Sequence, residues 1–239
     1  MIHVIKYLKT EPSAKDTAIF YFEKPPGFTY RAGQFGDFTL INAPETDAEG
    51  NSRSFTFSSA PDEEYLAITT RLRDTAFKRV LRGLKPESDL IVDAPLGVFT
   101  LRKDSSRPLV FLAGGIGVTP FRSLIVEASE KKMPHKIFLF YSNRTPADAP
   151  FLDELTALEE HNKNYKLIPT MTRPKNASKK WTGETGYISV ALLKKYLPDL
   201  KSPIYYIAGP AEMVQSLHQL LNEAGISDDD IKIEEFIGY

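Results

Sequence analysis

The chain has no cysteine among its 239 residues and only one tryptophan. Without thiols it can form no disulfide, no zinc-thiolate centre and no thiolate-held iron–sulfur cluster, so any bound electron carrier would be organic or a haem. An excess of one charge is also missing: 31 acidic residues face 30 basic ones, a formal net charge of −1. No global field would hold nucleic acid or an anionic membrane, and any anion must be met by local cations. No apolar run approaches the ~20 residues of a membrane span. The first residues, "MIHVIKYLKTEPSAKD", alternate and turn polar at once, unlike a signal peptide, so the expected location is the cytoplasm, without a membrane partner. His3, His135, His161 and His218 are scattered without ligand spacing, and no metal site or histidine-based nucleophile is expected. "SDDDIKI" lacks the spacing and glycine of a calcium loop, the triplet Asn176-Ala177-Ser178 has no secretory context, and Trp181 is expected to pack in a loop.

What is present divides into two grammars, 1–103 and 104–239, joined by the polar stretch "RKDSSRP". The first half holds short alternating runs, "HVIKYLK", "TAIFYFE", "QFGDFTLI", "RSFTFSS", "YLAITTRL" and "SDLIVDA", separated by turn residues. This spacing predicts an antiparallel β-barrel, with one helix in "TAFKRVLRGL" crossing its end. In the second half the apolar runs are continuous, "LVFLAG", "KIFLFYS", "YKLIPTMT", "IYYIAG" and "IKIEEFIG", and helical stretches lie between most of them. Strands apolar on both faces predict an α/β domain with a parallel sheet. Ligands in such sheets lie at the carboxyl ends of the strands.

Two strand-to-helix turns are candidates for phosphate. "AGGIGVTPF" offers Gly114, Gly115 and Gly117, with Thr119 able to cap a helix and Pro120 able to start it. "IAGPAEM" repeats the device with Gly209 and Pro210. In the first half Arg71 and Arg73 precede the start of "TAFKRVL". Each feature alone is equally readable as a tight turn or a capped helix with solvated arginines.

In this order and spacing, "YRAGQF", "RSFTFSS", "RDTAFKRVL", "APLGVFTL", "AGGIGVTP", "YSNRTPADAPFLDEL", "IAGPAEMV" and "EEFIGY" resemble the ferredoxin–NADP reductase superfamily over essentially the whole chain. That resemblance implies a flavin-binding barrel followed by a nicotinamide dinucleotide domain. It assigns Arg53 to the flavin pyrophosphate, Phe55 to the isoalloxazine ring and Thr56 to the neighbourhood of N5, with Ser54 beside them and Ser59 supporting the turn. The segment "TTRLRDTAF" would hold the adenine-side phosphate through Thr69, Thr70, Arg71, Thr75, Ala76 and Phe77, which favours FAD over FMN. The dinucleotide would take Gly115, Gly117, Thr119 and Pro120, faced by Gly209 and Met213. Many relatives carry a cysteine where this chain has Ala208. A C-terminal aromatic, Tyr239 or its neighbour Phe236, would cover the flavin.

The activity implied is hydride transfer from NAD(P)H to flavin N5, with Thr56 and Tyr239 nearest the chemistry, and onward delivery of electrons to a separate acceptor, a ferredoxin, flavodoxin, cytochrome or oxygenase. Thr172, Arg173 and Lys175 in "MTRPK", with Arg144, favour NADP over NAD. The protein is expected to be a monomer. Two other readings stay open: a flavin reductase that uses free flavin as a substrate, and a non-catalytic nucleotide-binding regulator.

Overall fold

Alternating apolar side chains fold the first half into strands with one buried face. In the computed structural model, which describes residues 1–177 and 180–236, these strands are β1 (Ile2–Ala14), β2 (Thr17–Phe22), β3 (Phe35–Leu40), β4 (Ser52–Thr56), β5 (Leu66–Arg71) and β6 (Asp89–Leu96). They form one sheet in the order β4-β3-β6-β1-β2-β5, antiparallel at every pairing. A Phe57–Ile68 bridge brings the two end strands together, so the sheet curls toward a barrel. Its interior is aromatic, with Phe20, Phe22, Phe38 and Phe57 fully buried. Helix α1 (Ala76–Arg82) adds Phe77 and Leu81 to this core.

The second half is built on β7 (Leu109–Gly114), buried at every position. With β8 (Ile137–Asn143), β9 (Tyr165–Met171), β10 (Glu184–Thr185), β11 (Ile204–Pro210) and β12 (Ile231–Phe236) it makes a wholly parallel sheet in the order β10-β9-β8-β7-β11-β12. Alternate residues of β7 serve opposite faces. Phe111 and Ala113 pack with α2 (Thr119–Glu130) and α3 (Leu152–His161), whereas Val110 and Leu112 pack with α4 (Val190–Tyr196) and α5 (Ala211–Glu223). From β7 the chain builds outward through β8 to β9, then returns to add β11 and β12 on the other side. The order therefore reverses between β7 and β11, and a crevice opens at their carboxyl ends.

The halves share a core. Phe99, just beyond the last barrel strand, lies 5.7 Å from the Phe121 ring and 5.3 Å from Tyr206. Beside this apolar contact, Arg122 of α2 donates to Ser58 O (2.9 Å) and pairs with Glu63 of the barrel and Glu154 of α3, while Ser123 Oγ donates to Ser59 O (2.6 Å). No described helix is long and apolar enough to cross a membrane.

Candidate functional site

The crevice between β7 and β11 is made possible by backbone approach. A Cβ on Gly117 would stand 2.3 Å from Ala208 O and 2.5 Å from Gly209 Cα, so only glycine lets the two turns meet. Gly115 has a φ of +52°, the left-handed region that favours glycine. Met213 closes the other side, its sulfur lying 2.2 Å from where a Gly114 Cβ would be. The helix start differs from the expectation. Residues Gly115–Val118 form a 3₁₀ turn, Val118 is the N-cap of α2 and makes no side-chain cap, and Thr119 is already helical and buried, ahead of Pro120. The tight turn required by Gly117 continues straight into the helix, leaving no extended residue for a threonine to cap. Ala208 is fully buried.

Next to this turn, Tyr141 Oη shares its one proton between Gly115 O (3.2 Å) and Pro150 O (3.0 Å). Asn143, at the end of β8, is only 5% exposed, and among the described residues its amide nitrogen and oxygen have no well-aligned hydrogen-bond partner, the Tyr141 hydroxyl being the polar group beside them. A buried amide left unpaired costs about 1–3 kcal/mol. It fits a site that gains a polar ligand.

The barrel contributes a group of cations. Burial, with Arg73, Arg53 and Arg71 nearby, lowers the Lys78 ammonium to about 8. Arg71 also reaches the other half: a Cβ on Gly115 would stand 2.9 Å from one of its guanidinium nitrogens. A carboxylate stands among these groups. Asp47 Oδ1 accepts from Arg53 (2.7 Å) and from Glu49 N (3.0 Å), and the Ala76 amide bonds the same carboxyl. The Arg53 hydrogen bond foremost holds this carboxyl below its usual range. Asp47 thus marks where Arg53 and the α1 entry accept negative charge, and these residues fit a diphosphate. Thr75 caps α1 by accepting from Lys78 N (3.4 Å).

The remaining residues of the strand divide by face. Phe55 lies between Phe38 (5.9 Å) and Phe77 (5.7 Å), over which the Arg53 guanidinium also sits (5.3 Å). Ser54 bonds Asp37 on the outer side. Thr56 Oγ1 donates to Glu234 Oε1 of β12 (2.8 Å). Burial raises the half-buried Glu234 carboxyl to about 7, with the Thr56 hydrogen bond opposing. Ser59 and Thr69 are turned into the barrel wall instead: Ser59 Oγ accepts from Ala67 N (3.0 Å) and pairs with Tyr30 Oη, and Thr69 Oγ1 donates to Ser58 Oγ (2.9 Å). The buried Thr70 hydroxyl is 3.5 Å from Arg71 O. Phe236 ends β12 opposite Pro210 and packs against the core, and Tyr239 lies outside the described residues.

Arg144 and Arg173, distant in sequence, line one cleft of about 420 Å³ with Lys15, Thr145, Pro146, Ala147, Asp148, Asn176 and Ala177. Thr172 turns its hydroxyl onto Asn143 O (3.3 Å), away from the role expected of it. Sequence reasoning missed Lys78, Asp47, Glu234, Asn143 and Lys15. Helical spacing from Thr75 points to Lys78, whereas nothing local marks the others.

A family profile described as an oxidoreductase NAD-binding domain matches residues 111–219. The anthranilate 1,2-dioxygenase electron transfer component of Acinetobacter baylyi is 31% identical over 205 residues, 84% of this chain and 57% of that protein. The whole fold is matched by a ferredoxin NADP⁺ reductase from Neisseria gonorrhoeae solved with FAD and NADP, at a TM-score of 0.81, 23% identity and 98% coverage of both chains. Residues 111–219 thus match an oxidoreductase NAD-binding domain, and the whole chain has the fold of that reductase. The chain is also similar to the glycine betaine monooxygenase reductase subunit of Chromohalobacter salexigens, 28% identical over 98% of this chain and 64% of that one. The chain thus spans less than two thirds of the length of both curated relatives.

Proposed function

We propose that this chain is an FAD-containing NAD(P)H reductase that delivers electrons to a separate redox partner, with residues 1–103 as its flavin domain and residues 104–239 as its dinucleotide domain. The observation that carries the reading is the position of Arg71, which brings the cation group of the barrel against the Gly115 turn of the parallel sheet. Two phosphate-bearing nucleotides would then meet in one crevice. Two of its curated relatives are named as an electron transfer component and a reductase subunit of oxygenases, which supports an oxygenase-type partner for this chain too.

When bound, FAD supplies hydride acceptance from a nicotinamide and stepwise electron release. The chain's own residues bind, orient and tune. Arg53 and Lys78, with Arg71 and Arg73, hold the flavin diphosphate in place of Asp47. Phe55 supplies a flat apolar wall, and Thr56 places a hydroxyl at the ring edge. Gly115, Gly117 and Asn143 receive the dinucleotide, with Met213 and Gly209 across from them. With its carboxyl raised to about 7, Glu234 carries a proton below that pH, and above it the carboxylate accepts from the Thr56 hydroxyl. Phe236, at the end of β12, covers the site, and Arg144 and Arg173 favour NADPH.

Purified protein tests the proposal. FAD should co-elute, and its visible absorbance should bleach on anaerobic NADPH addition. Colourless protein that reduces added flavin would make it a flavin reductase, and bound FAD that neither NADPH nor NADH bleaches would make it a non-catalytic binder.

A further inference from the structure

We propose that Lys15, at the tip of the β1–β2 hairpin, is a specificity-determining residue for the 2′-phosphate of NADPH, so that the barrel helps to choose the nucleotide. This rests on reading the Arg144–Arg173 cleft as the adenosine end of the dinucleotide site. The cleft draws its cations from separate elements: Lys15 from the hairpin, Arg144 after β8 and Arg173 after β9. Its volume of about 420 Å³ falls in the range of roughly 300–1,000 Å³ usual for small-molecule sites.

Lys15 is held in place by backbone bonds to both halves. Its own N–H donates to Ala147 O (2.8 Å), and Asp16 O, the next residue, accepts from Leu72 N (2.7 Å). Arg173 N donates to Arg144 O (2.8 Å), which fixes the opposite wall. The carboxylate lining the cleft, Asp148, is turned onto Thr145, its Oδ2 accepting from Thr145 N (3.0 Å) and Thr145 Oγ1 (2.6 Å), and it offsets one of the three cations. Among the described residues Lys15, Arg144 and Arg173 form no ion pair, in contrast to Arg53, Arg79, Arg107 and Arg122.

Three cations against one carboxylate around the cleft suit a phosphate monoester, which carries about −1.5 to −2 charges at neutral pH. An NADH ribose offers only neutral hydroxyls there. The two arginines provide planar forks, and the lysine adds a mobile point charge with three donors. The charge of Lys15 should therefore act on the 2′-phosphate and leave the rest of the nucleotide untouched.

Calorimetry on the flavin-loaded full chain tests this with adenosine 2′,5′-bisphosphate and adenosine 5′-phosphate as probes. Lys15→Gln should weaken the bisphosphate by about tenfold and the monophosphate by less than about twofold, and Lys15→Arg should restore the difference. Equal weakening of both probes, or no change in either, would overturn the assignment of Lys15. If Arg144→Ala and Arg173→Ala retain wild-type discrimination as well, the adenosine reading of the cleft falls with it. If those two lose discrimination and Lys15→Gln keeps it, only the role of Lys15 is refuted.

Discussion

A lysine that gives up its proton at about 8 sits beside three arginines, and this arrangement is expensive unless an anion joins it. Asp47 meets part of that need in the protein alone, but a carboxylate carries one charge and a diphosphate about two. The sign of the pH effect follows. The Lys78 pKa in the folded chain lies below its unfolded value of 10.5, so raising pH from about 8 to 10.5 relieves repulsion and stabilises the flavin-free fold. A bound diphosphate favours the charged ammonium, so binding takes up a proton. Flavin affinity should then decline above pH 8 by up to about tenfold per unit, and Lys78→Met should flatten that decline. Fluorescence titration of FAD into flavin-stripped protein between pH 7 and 10 measures both; an unchanged slope in Lys78→Met would remove the lysine from the phosphate group.

At the scale of elements, the turns at β7 and β11 meet backbone to backbone. Gly117→Ala would press a methyl group onto Ala208 O, which cannot swing aside as a side chain would. The substitution should cost about 1–3 kcal/mol of stability and weaken nicotinamide nucleotide binding at least about tenfold. Gly83→Ala is the control, since its nearest contacts are 3.5 Å away and its effect should stay within about 0.5 kcal/mol. Denaturant midpoints and nucleotide titrations compare the two. The alternating runs of the first half and the continuous runs of the second made most of these elements legible, because burial on one face or on both dictates the pattern. α4 and β10 were not legible: one is a seven-residue helix and the other a two-residue strand, both formed by what they pack or pair against. Thr119 misled for a related reason, since a capping residue depends on where the preceding turn ends.

For the whole molecule, the decisive contact is the one between the halves. Arg122, whose side chain is 13% exposed, stands between Glu63 and Glu154. Arg122→Met would leave two carboxylates facing each other and should cost about 2–4 kcal/mol, somewhat below the roughly 3–5 of a fully buried pair because both acids retain some water. Adding Glu63→Gln should recover part of this loss in urea unfolding, and a fully additive double mutant would argue against the coupling. By itself the amino-acid order determined the two sheet types, the glycine turns and the arginine–aromatic–hydroxyl strand, because local periodicity and backbone demands are written residue by residue. Tertiary structure alone decided that Arg71 reaches Gly115, that Glu234 meets Thr56 across 178 positions and that Lys15 shares a cleft with Arg144 and Arg173. Those pairings depend on how the barrel docks against the parallel sheet, and docking is set by a shared core that no short stretch of sequence contains.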